Sequence, residues 1–237
     1  MSNHFLKTIK RARLTSLARE TLRPVYRRFR PYASLNSLDR KIEKYLPPSG
    51  VFIEAGANDG LNQSNTLFLA RKHGWRGILI EPVPRLHTRC IKNRKDSLCV
   101  NVALVSPDES GKVIELIDVD LMTQVKQSKS FSANEAKLTA GETVQGIKRN
   151  EISAMGHTLS QVIDHSPFEV IDLLSLDVEG FELEVLQGIT KEIHFPSWIL
   201  IETNDLKGVM EILKNRYEIV EKLSEHDYLL KLINKQC

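Results

Sequence analysis

From residue 50 onward the chain alternates short apolar runs with helical stretches, and this rhythm restricts the fold more than any other feature. The runs lack strict alternation of apolar and polar residues, which is typical of strands buried on both faces. Such strands, each followed by a helix, predict a parallel sheet covered by helices on both sides. We expect strands over residues 51–53, 77–80, 98–104, 170–176 and 198–201, and helices over residues 64–73, 84–94, 181–188 and 205–215.

The last part of the chain departs from this rhythm. Residues 217–223 and 228–233 are two apolar runs separated by a short polar turn, which predicts an antiparallel hairpin. Five parallel strands and this hairpin give a doubly wound α/β fold with a mostly parallel seven-stranded sheet. Residues 120–156 are polar with only scattered apolar residues, and we expect a long insert or lid there.

Basic residues are concentrated at the start of the chain. Residues 1–31 hold nine Lys and Arg against a single acid, Glu20, although the whole chain carries a net charge of only +3. Their apolar residues recur at helical spacing, and a Pro-Pro-Ser-Gly run at residues 47–50 indicates a linker. We therefore divide the chain into a basic helical N-terminal appendage, residues 1–49, and an α/β domain, residues 50–237.

Residues 1–31 have three interpretations. A basic amphipathic helix can dock on an anionic surface, most simply a membrane, through peripheral contact. It can equally pack on the body of the protein or on a second subunit. A mitochondrial presequence has a similar composition and is a minor alternative.

The cysteines and the hydropathy indicate a cytoplasmic protein. Cys90, Cys99 and Cys237 are odd in number and lack C-x-x-C spacing, which favours reduced thiols over a disulfide framework or a zinc site. No apolar stretch approaches the ~18 residues needed to cross a bilayer.

A glycine-containing loop, Glu-Ala-Gly-Ala-Asn-Asp-Gly at residues 54–60, follows the first predicted strand. Gly56 and Gly60 would let the backbone turn sharply and a ligand approach. Glu81 ends the second strand, 21 residues beyond Gly60, about where doubly wound folds place an acid on the ribose hydroxyls of an adenosine ligand. The loop lacks the G-x-G-x-x-G spacing that binds pyrophosphate, and an acid such as Glu54 favours a cationic ligand. We therefore expect S-adenosylmethionine (SAM) rather than NAD.

Polar residues also end the later strands. Asn101, with Val102 and Ala103, is either an adenine contact or an ordinary polar strand position. Asp177 and Glu179 follow the fourth strand, and Glu202 ends the fifth. Open α/β sheets bind ligands at this edge, although Glu179 also fits a helix N-terminal charge.

These segments resemble the FkbM family of methyltransferases over roughly residues 51–233. The most specific is Leu-Asp-Val-Glu-Gly-Phe-Glu-Leu-Glu-Val-Leu-Gln-Gly at residues 176–188. The others lie at residues 53–60, 77–82, 101–104, 158–159, 201–203 and 226–230.

The resemblance implies a Rossmann-like class I methyltransferase fold and transfer of a methyl group from SAM to an oxygen, often a hydroxyl of a sugar, glycan or lipid-linked glycan. Glu54 stands where many members carry Asp, and some relatives keep the fold without activity. We expect cofactor contacts from the motif residues Glu54, Gly56, Ala57, Asn58, Gly60, Glu81, Pro82, Asn101 and Ala103.

An alcohol is a poor nucleophile until its proton leaves, so this chemistry needs a base. Asp177 is the first candidate, followed by Glu202 and His157. A magnesium ion (Mg²⁺) held by acids such as Asp177 is the alternative, since it would orient a sugar diol.

Two other functions stay open: a catalytically inactive methyltransferase-like binding module and, less favoured by the loop spacing, an NAD-dependent oxidoreductase. A nucleic-acid partner is disfavoured, because the body lacks a surface of interleaved basic and aromatic residues.

Overall fold

A seven-stranded sheet organises the computed structural model, which describes residues 32–118, 123–125 and 150–233. The strands of the described residues are β1 (Val51–Ala55), β2 (Arg76–Ile80), β3 (Leu98–Val100), β4 (Ala103–Leu104), β5 (Val113–Asp118), β6 (Gln124–Val125), β7 (Asn150–His157), β8 (Leu173–Leu176), β9 (Trp198–Glu202), β10 (Tyr217–Lys222) and β11 (Asp227–Leu232). The helices are α1 (Leu38–Glu43), α2 (Leu67–His73), α3 (Pro84–Asn93), α4 (Leu159–Asp164), α5 (Glu182–Gln187) and α6 (Leu206–Leu213).

The strand order is β10-β11-β9-β8-β1-β2-β3, and β11 runs antiparallel to both of its neighbours. The predicted fold class is therefore confirmed: a doubly wound α/β fold with a mostly parallel sheet of seven strands and an antiparallel C-terminal hairpin. None of the helices in the described part of the chain has the length and apolar content of a membrane span.

Both faces of this sheet are buried, which explains the continuous apolar runs. Successive residues of β1 point to opposite faces, so Phe52 packs in one core with Ile42 and Phe68. Ile53 packs in the other core with Val185 and Val209. The first core lies against α1, α2 and α3, and the second against α4, α5 and α6.

The segment before β1 packs on this body. In α1, Ile42 is fully buried and the buried Asp39 accepts hydrogen bonds from Ala33 N (2.7 Å) and Ser34 Oγ (2.6 Å). Residues 1–31 lie outside the described residues, so their helix and the division of the chain at residues 49 and 50 stay predictions.

The third predicted strand, residues 98–104, is wrong as a single element. β3 pairs with β2 in the main sheet, whereas β4 pairs with β7 in a second sheet. The break falls at Asn101, whose side-chain Nδ2 donates to the carbonyl oxygens of Glu81 (2.7 Å) and Pro82 (2.9 Å). This side-chain hydrogen bond takes the place of the next backbone hydrogen bond between β2 and β3, and the chain then leaves the main sheet.

The insert predicted over residues 120–156 also needs correction, because its described ends contain strands. β5, β6 and β7 form a second sheet with β4, in the order β4-β7-β5-β6. In β7, Ala154 and Gly156 are buried while Ser153 and Met155 are exposed. These inward residues are too small to give a recognisable strand pattern. Residues 119–122 and 126–149 lie outside the described part, so a lid there stays a prediction.

One ion pair connects helix α3, which packs on the main sheet, to strand β5 of the second sheet. Arg85 of α3 donates from Nε (2.9 Å) and Nη2 (2.7 Å) to the two carboxylate oxygens of Asp118, at the end of β5. The Asp118 side chain is only 3% exposed. A charge buried to this degree is stable only when it is paired, so the contact fixes the second sheet to α3.

Replacing Arg85 with Ala removes this partner from a buried carboxylate. We expect the free energy of unfolding, measured by urea denaturation, to fall by about 1–3 kcal/mol. Lys112→Ala is the matched control, because the pair of Lys112 with Glu109 is exposed, and a pair of that kind contributes at most about 1 kcal/mol. Equal effects of the two substitutions would contradict this account of the second sheet.

Candidate active site

A cavity of about 330 Å³ opens at the carboxyl ends of the parallel strands. Residues of β1, β2, β8 and β9 and of the loops that follow them form most of its wall, and Leu116, Thr123 and Val125 of the second sheet close another side. The cavity lies where β1 and β8 are neighbours and the strand order reverses, since β2 and β3 lie to one side and β9 to the other. Ligands of open α/β sheets bind at this kind of switch point.

Gly56 brings the two central strands together at the mouth of this cavity. Its φ is +82°, and a Cβ atom there would lie 1.9 Å from the carbonyl oxygen of Asp177. Gly56 N and Ala57 N both donate to Ile80 O (3.1 Å each), which ties the same loop to β2. The sequence suggests that glycine makes room for a ligand; here the absent side chain first makes room for the backbone of Asp177.

Glu54 is the centre around which the loop after β1 folds. Its buried carboxylate accepts hydrogen bonds from Ser64 Oγ (2.8 Å), Asn65 N (2.8 Å) and Thr66 Oγ1 (2.5 Å). Nη1 of the buried Arg94 lies 3.7 Å from it. The negative charge of Glu54 is therefore already offset within the protein, and its predicted contact with a cationic ligand stays a prediction.

Arg94, which was not predicted from the sequence, binds the loop that follows β1 through side-chain hydrogen bonds. It donates to Gly60 O, Ser64 Oγ and Thr66 Oγ1, each at 3.1 Å. Burial lowers the pKa of its guanidinium, and the nearby Glu54 carboxylate opposes this shift. Basic residues in a last helical turn are common, so nothing in the local sequence distinguishes Arg94 from Lys92 beside it.

Glu81 is held at the end of β2 by backbone donors. Its Oε2 accepts from Asn58 N (2.7 Å), and its Oε1 accepts from Val83 N (2.9 Å). Burial raises the pKa of Glu81 to about 7, although both hydrogen bonds act to lower it. Each carboxylate oxygen can accept a second hydrogen bond, so Glu81 can still bind hydroxyl groups in the cavity.

Asp177 lies at the end of β8 among other carboxylates. Burial raises its pKa well above the ordinary range, and the charges of Glu202, Glu179, Glu182 and Asp227 raise it further. Burial likewise raises the pKa of Glu182. A carboxyl group in this setting binds a proton more strongly than a solvent-exposed Asp, which suits it to remove a proton from a neutral group.

Eight of the predicted site residues line one cavity. They are Glu54, Gly56, Asn58, Glu81, Pro82, Ala103, Asp177 and Glu202.

Four predicted residues are not among the described residues that line the cavity: Ala57, Gly60, Asn101 and His157. Gly60 packs against Cys90 and Arg94, while Asn101 holds the backbone of Glu81 from behind. His157 ends β7, where its carbonyl oxygen accepts from Val105 N. A catalytic role for His157 stays a prediction that its position does not favour.

Asn65 is a cavity residue that the sequence analysis missed. It is 9% exposed, its Nδ2 donates to Ser175 Oγ (3.0 Å), and its Oδ1 has no partner among the described residues. A buried acceptor without a donor is costly to stability. An Asn just before a helix usually indicates capping, so the sequence alone could not reveal this position.

The predicted magnesium site gains no support. Within residues 32–118, 123–125 and 150–233, no group of three or more His, Cys, Asp or Glu side chains is arranged to hold a metal ion. A role for Mg²⁺ beside Asp177 therefore stays a prediction.

The raised pKa of Glu81 predicts how stability depends on pH. Between its ordinary pKa of 4.5 and about 7, the folded protein keeps a proton that the unfolded chain has released. The free energy of unfolding therefore falls as the pH rises through this window, by at most about 1.4 kcal/mol per pH unit. Glu81→Gln lacks this contribution, so the stability of the wild type relative to the variant should decrease from pH 4.5 to 7. Parallel pH curves in urea unfolding would rule out the shift.

Comparison with known proteins was made on the sequence and on the fold. No curated protein matches the chain. Among solved structures, TrmK of M. capricolum with S-adenosylhomocysteine aligns with a TM-score of 0.44 at 11% identity, covering 84% of this chain and 67% of that one. An O-methyltransferase from Bacillus cereus with S-adenosylhomocysteine also gives 0.44 at 11% identity, covering 84% and 80%. A TehB-like SAM-dependent methyltransferase from Corynebacterium glutamicum gives 0.40 at 11% identity, covering 82% and 84%.

The family comparison is more informative. The family described as "Methyltransferase FkbM domain" matches residues 54–235, which begin at Glu54 in β1 and include the other six strands of the main sheet. The match covers the glycine loop, Glu81, Asp177 and Glu202, and it does not support the dehydrogenase alternative. This chain is a methyltransferase and belongs to the FkbM family.

Proposed function

We propose that the protein transfers the methyl group of SAM to a hydroxyl of a sugar, a glycan or a related small molecule. The observation that carries this proposal is the Asp177 carboxyl, which lies in the cavity at the switch point with a raised pKa. Membership of the family supports methyl transfer. An alcohol acceptor also needs a base, and the Asp177 carboxyl can act as that base in a site partly shielded from water.

The residues of the cavity fit SAM. Glu81 has free acceptor capacity for the two ribose hydroxyls, and Asn58 and Asn65 add polar side chains to the same cavity wall. Gly56 leaves no side chain at the narrowest point between β1 and β8. Ile80, Leu104 and Leu116 provide apolar wall that an adenine ring can contact.

Charge at the cavity favours a neutral acceptor. Five carboxylates line it, and the described lining includes no Lys, Arg or His; the acids are Glu54, Glu81, Asp177, Glu179 and Glu202. Glu54 is already offset by Arg94, and the raised pKa values of Glu81 and Asp177 favour their neutral forms, so Glu179 and Glu202 contribute most of the charge that would repel a phosphate or carboxylate on the acceptor. A sugar hydroxyl meets no such repulsion, and carboxylates are good acceptors for its hydrogen bonds.

SAM supplies a methyl group that its sulfonium already activates. The protein has to align the acceptor oxygen with that group and take up the proton. Asp177 is the proton acceptor in this proposal. Burial raises its pKa, and the charge of Glu202 on the adjacent strand raises the pKa further. A base with a raised pKa drives removal of the alcohol proton better than an ordinary Asp.

Removal of the Asp177 charge tests this role. Asp177→Asn keeps the size of the side chain, so SAM affinity should stay within a few-fold while turnover falls by ~10²–10⁴. The assay uses SAM labelled on its methyl group with a panel of sugars, glycans and lipid-linked glycans. The acceptor that the wild type methylates is then used for every variant.

Asp172→Asn is the matched control, because Asp172 immediately precedes β8 at the opposite end of the same strand. Its Oδ2 accepts from Val51 N (2.9 Å), a bond that an amide oxygen can also accept. Turnover of Asp177→Asn near the wild-type rate would exclude Asp177 as the base. Loss of wild-type activity on addition of a chelator would favour the magnesium alternative, and binding of SAM with no turnover on any acceptor would favour an inactive binding module.

The proposal also includes a membrane contact through residues 1–31. Residues 1–31 lie outside the described residues, and their density of Lys and Arg supports peripheral docking on an anionic membrane that presents a lipid-linked acceptor.

A further inference from the structure

Two thiols lie in contact beneath the glycine loop. Cys90 in the last turn of α3 and Cys99 in β3 have their Sγ atoms 3.6 Å apart. Cys90 is fully buried and Cys99 is half-buried, so Cys99 is the more accessible of the two residues. The two residues are nine positions apart in sequence, yet a helix and a strand place them side by side.

The thiol pair contacts the part of the chain that forms the cavity. A Cβ atom on Gly60 would lie 3.0 Å from Cys90 Sγ and 2.8 Å from Arg94 Cγ, so the loop rests directly on these residues. Cys90 O accepts from Arg94 N (2.8 Å). Because Arg94 in turn binds Gly60 O, Ser64 Oγ and Thr66 Oγ1, a displacement of Cys90 is passed to the loop.

We propose that Cys90 and Cys99 are a site of reversible oxidation by hydrogen peroxide, and that the disulfide between them loosens the loop of residues 56–66 and weakens SAM binding. The effect on SAM rests on the proposed function, whereas formation of the disulfide does not.

The chemistry balances as follows. Cys99, as the accessible thiolate, attacks one peroxide oxygen and becomes a sulfenic acid, while hydroxide leaves and takes up the Cys99 proton as water. The Cys90 thiol then attacks the Cys99 sulfur, the S–S bond forms, and a second water leaves with the Cys90 proton. Two thiols are oxidised and one hydrogen peroxide is reduced to two waters.

The surroundings of the pair support this order of steps. Contact with Cys90 lowers the pKa of Cys99, and the positive charge of Arg94 adds to this effect, although partial burial opposes it; the lower pKa increases the thiolate fraction of Cys99. Contact with Cys99 and burial raise the pKa of Cys90, so Cys90 stays a thiol until the second step.

The geometry also explains why a disulfide at this position would loosen the loop. An S–S bond measures about 2.05 Å, so the sulfurs must approach each other by roughly 1.5 Å. Protein interiors are close-packed, and a movement of this size at Cys90 is transmitted to the atoms packed on it, namely Gly60 and Arg94. The loop then loses part of the support that fixes Glu54 and Asn58 at the cavity.

The experiment treats the full-length Cys237→Ser protein with hydrogen peroxide, so that Cys237 cannot exchange with the pair. Peptide mass spectrometry should find Cys90 and Cys99 joined, with the loss of two hydrogens. Calorimetry should find SAM binding weakened by about tenfold, a change of about 1.4 kcal/mol. Dithiothreitol should restore the reduced mass and the affinity together.

Cys99→Ser in the same background is the control, since a hydroxyl keeps the approximate size and cannot form the bond. Its SAM affinity should not respond to peroxide. Hydrogen exchange of residues 56–66, which should become faster in the oxidised protein, measures the loosening without any ligand.

The inference is overturned if both thiols survive peroxide, or if the disulfide forms while exchange of the loop is unchanged. Failure of the reduced protein to bind SAM would instead refute the proposed function and leave the exchange measurement to decide on the thiol pair.

Discussion

The close approach of Gly56 to the carbonyl of Asp177 is the constraint on which the site depends. It sets the distance between the ends of β1 and β8, the two strands between which the sheet reverses its order. Any side chain at residue 56 would have to displace the backbone that carries Asp177. The acid proposed to act as base and the loop proposed to hold the cofactor are thus fixed to each other through backbone atoms, which are harder to move than side chains.

Three acids at this edge have three different environments. Glu54 is matched by Arg94 and by hydroxyl and backbone donors, so it serves the structure of the loop. Glu81 is bound by two backbone N–H groups and keeps acceptor capacity toward the cavity. Burial raises the pKa of Asp177, and the charges of the carboxylates around it raise the pKa further. This division explains why one acid of the three is suited to proton transfer.

The sequence predicts the main sheet well because buried parallel strands have a simple signature, a continuous apolar run. The second sheet escapes prediction because β7 faces inward with Ala154 and Gly156, which carry almost no hydrophobic signal. The break between β3 and β4 depends on the hydrogen bonds of the Asn101 side chain to the carbonyl oxygens of Glu81 and Pro82. This is a tertiary contact that no local sequence pattern encodes. The same holds for Arg94 and Asn65. Their roles arise from partners about 30 and 110 residues away in sequence, respectively.

The central claim is that the cavity between β1 and β8 binds SAM. The most direct measurement is a calorimetric titration of the full-length, reduced protein with SAM, and separately with NAD, followed by competition with S-adenosylhomocysteine. We predict one SAM site per chain, displacement of SAM by S-adenosylhomocysteine and no heat of binding with NAD. Absence of SAM binding, or binding of NAD in its place, would contradict it.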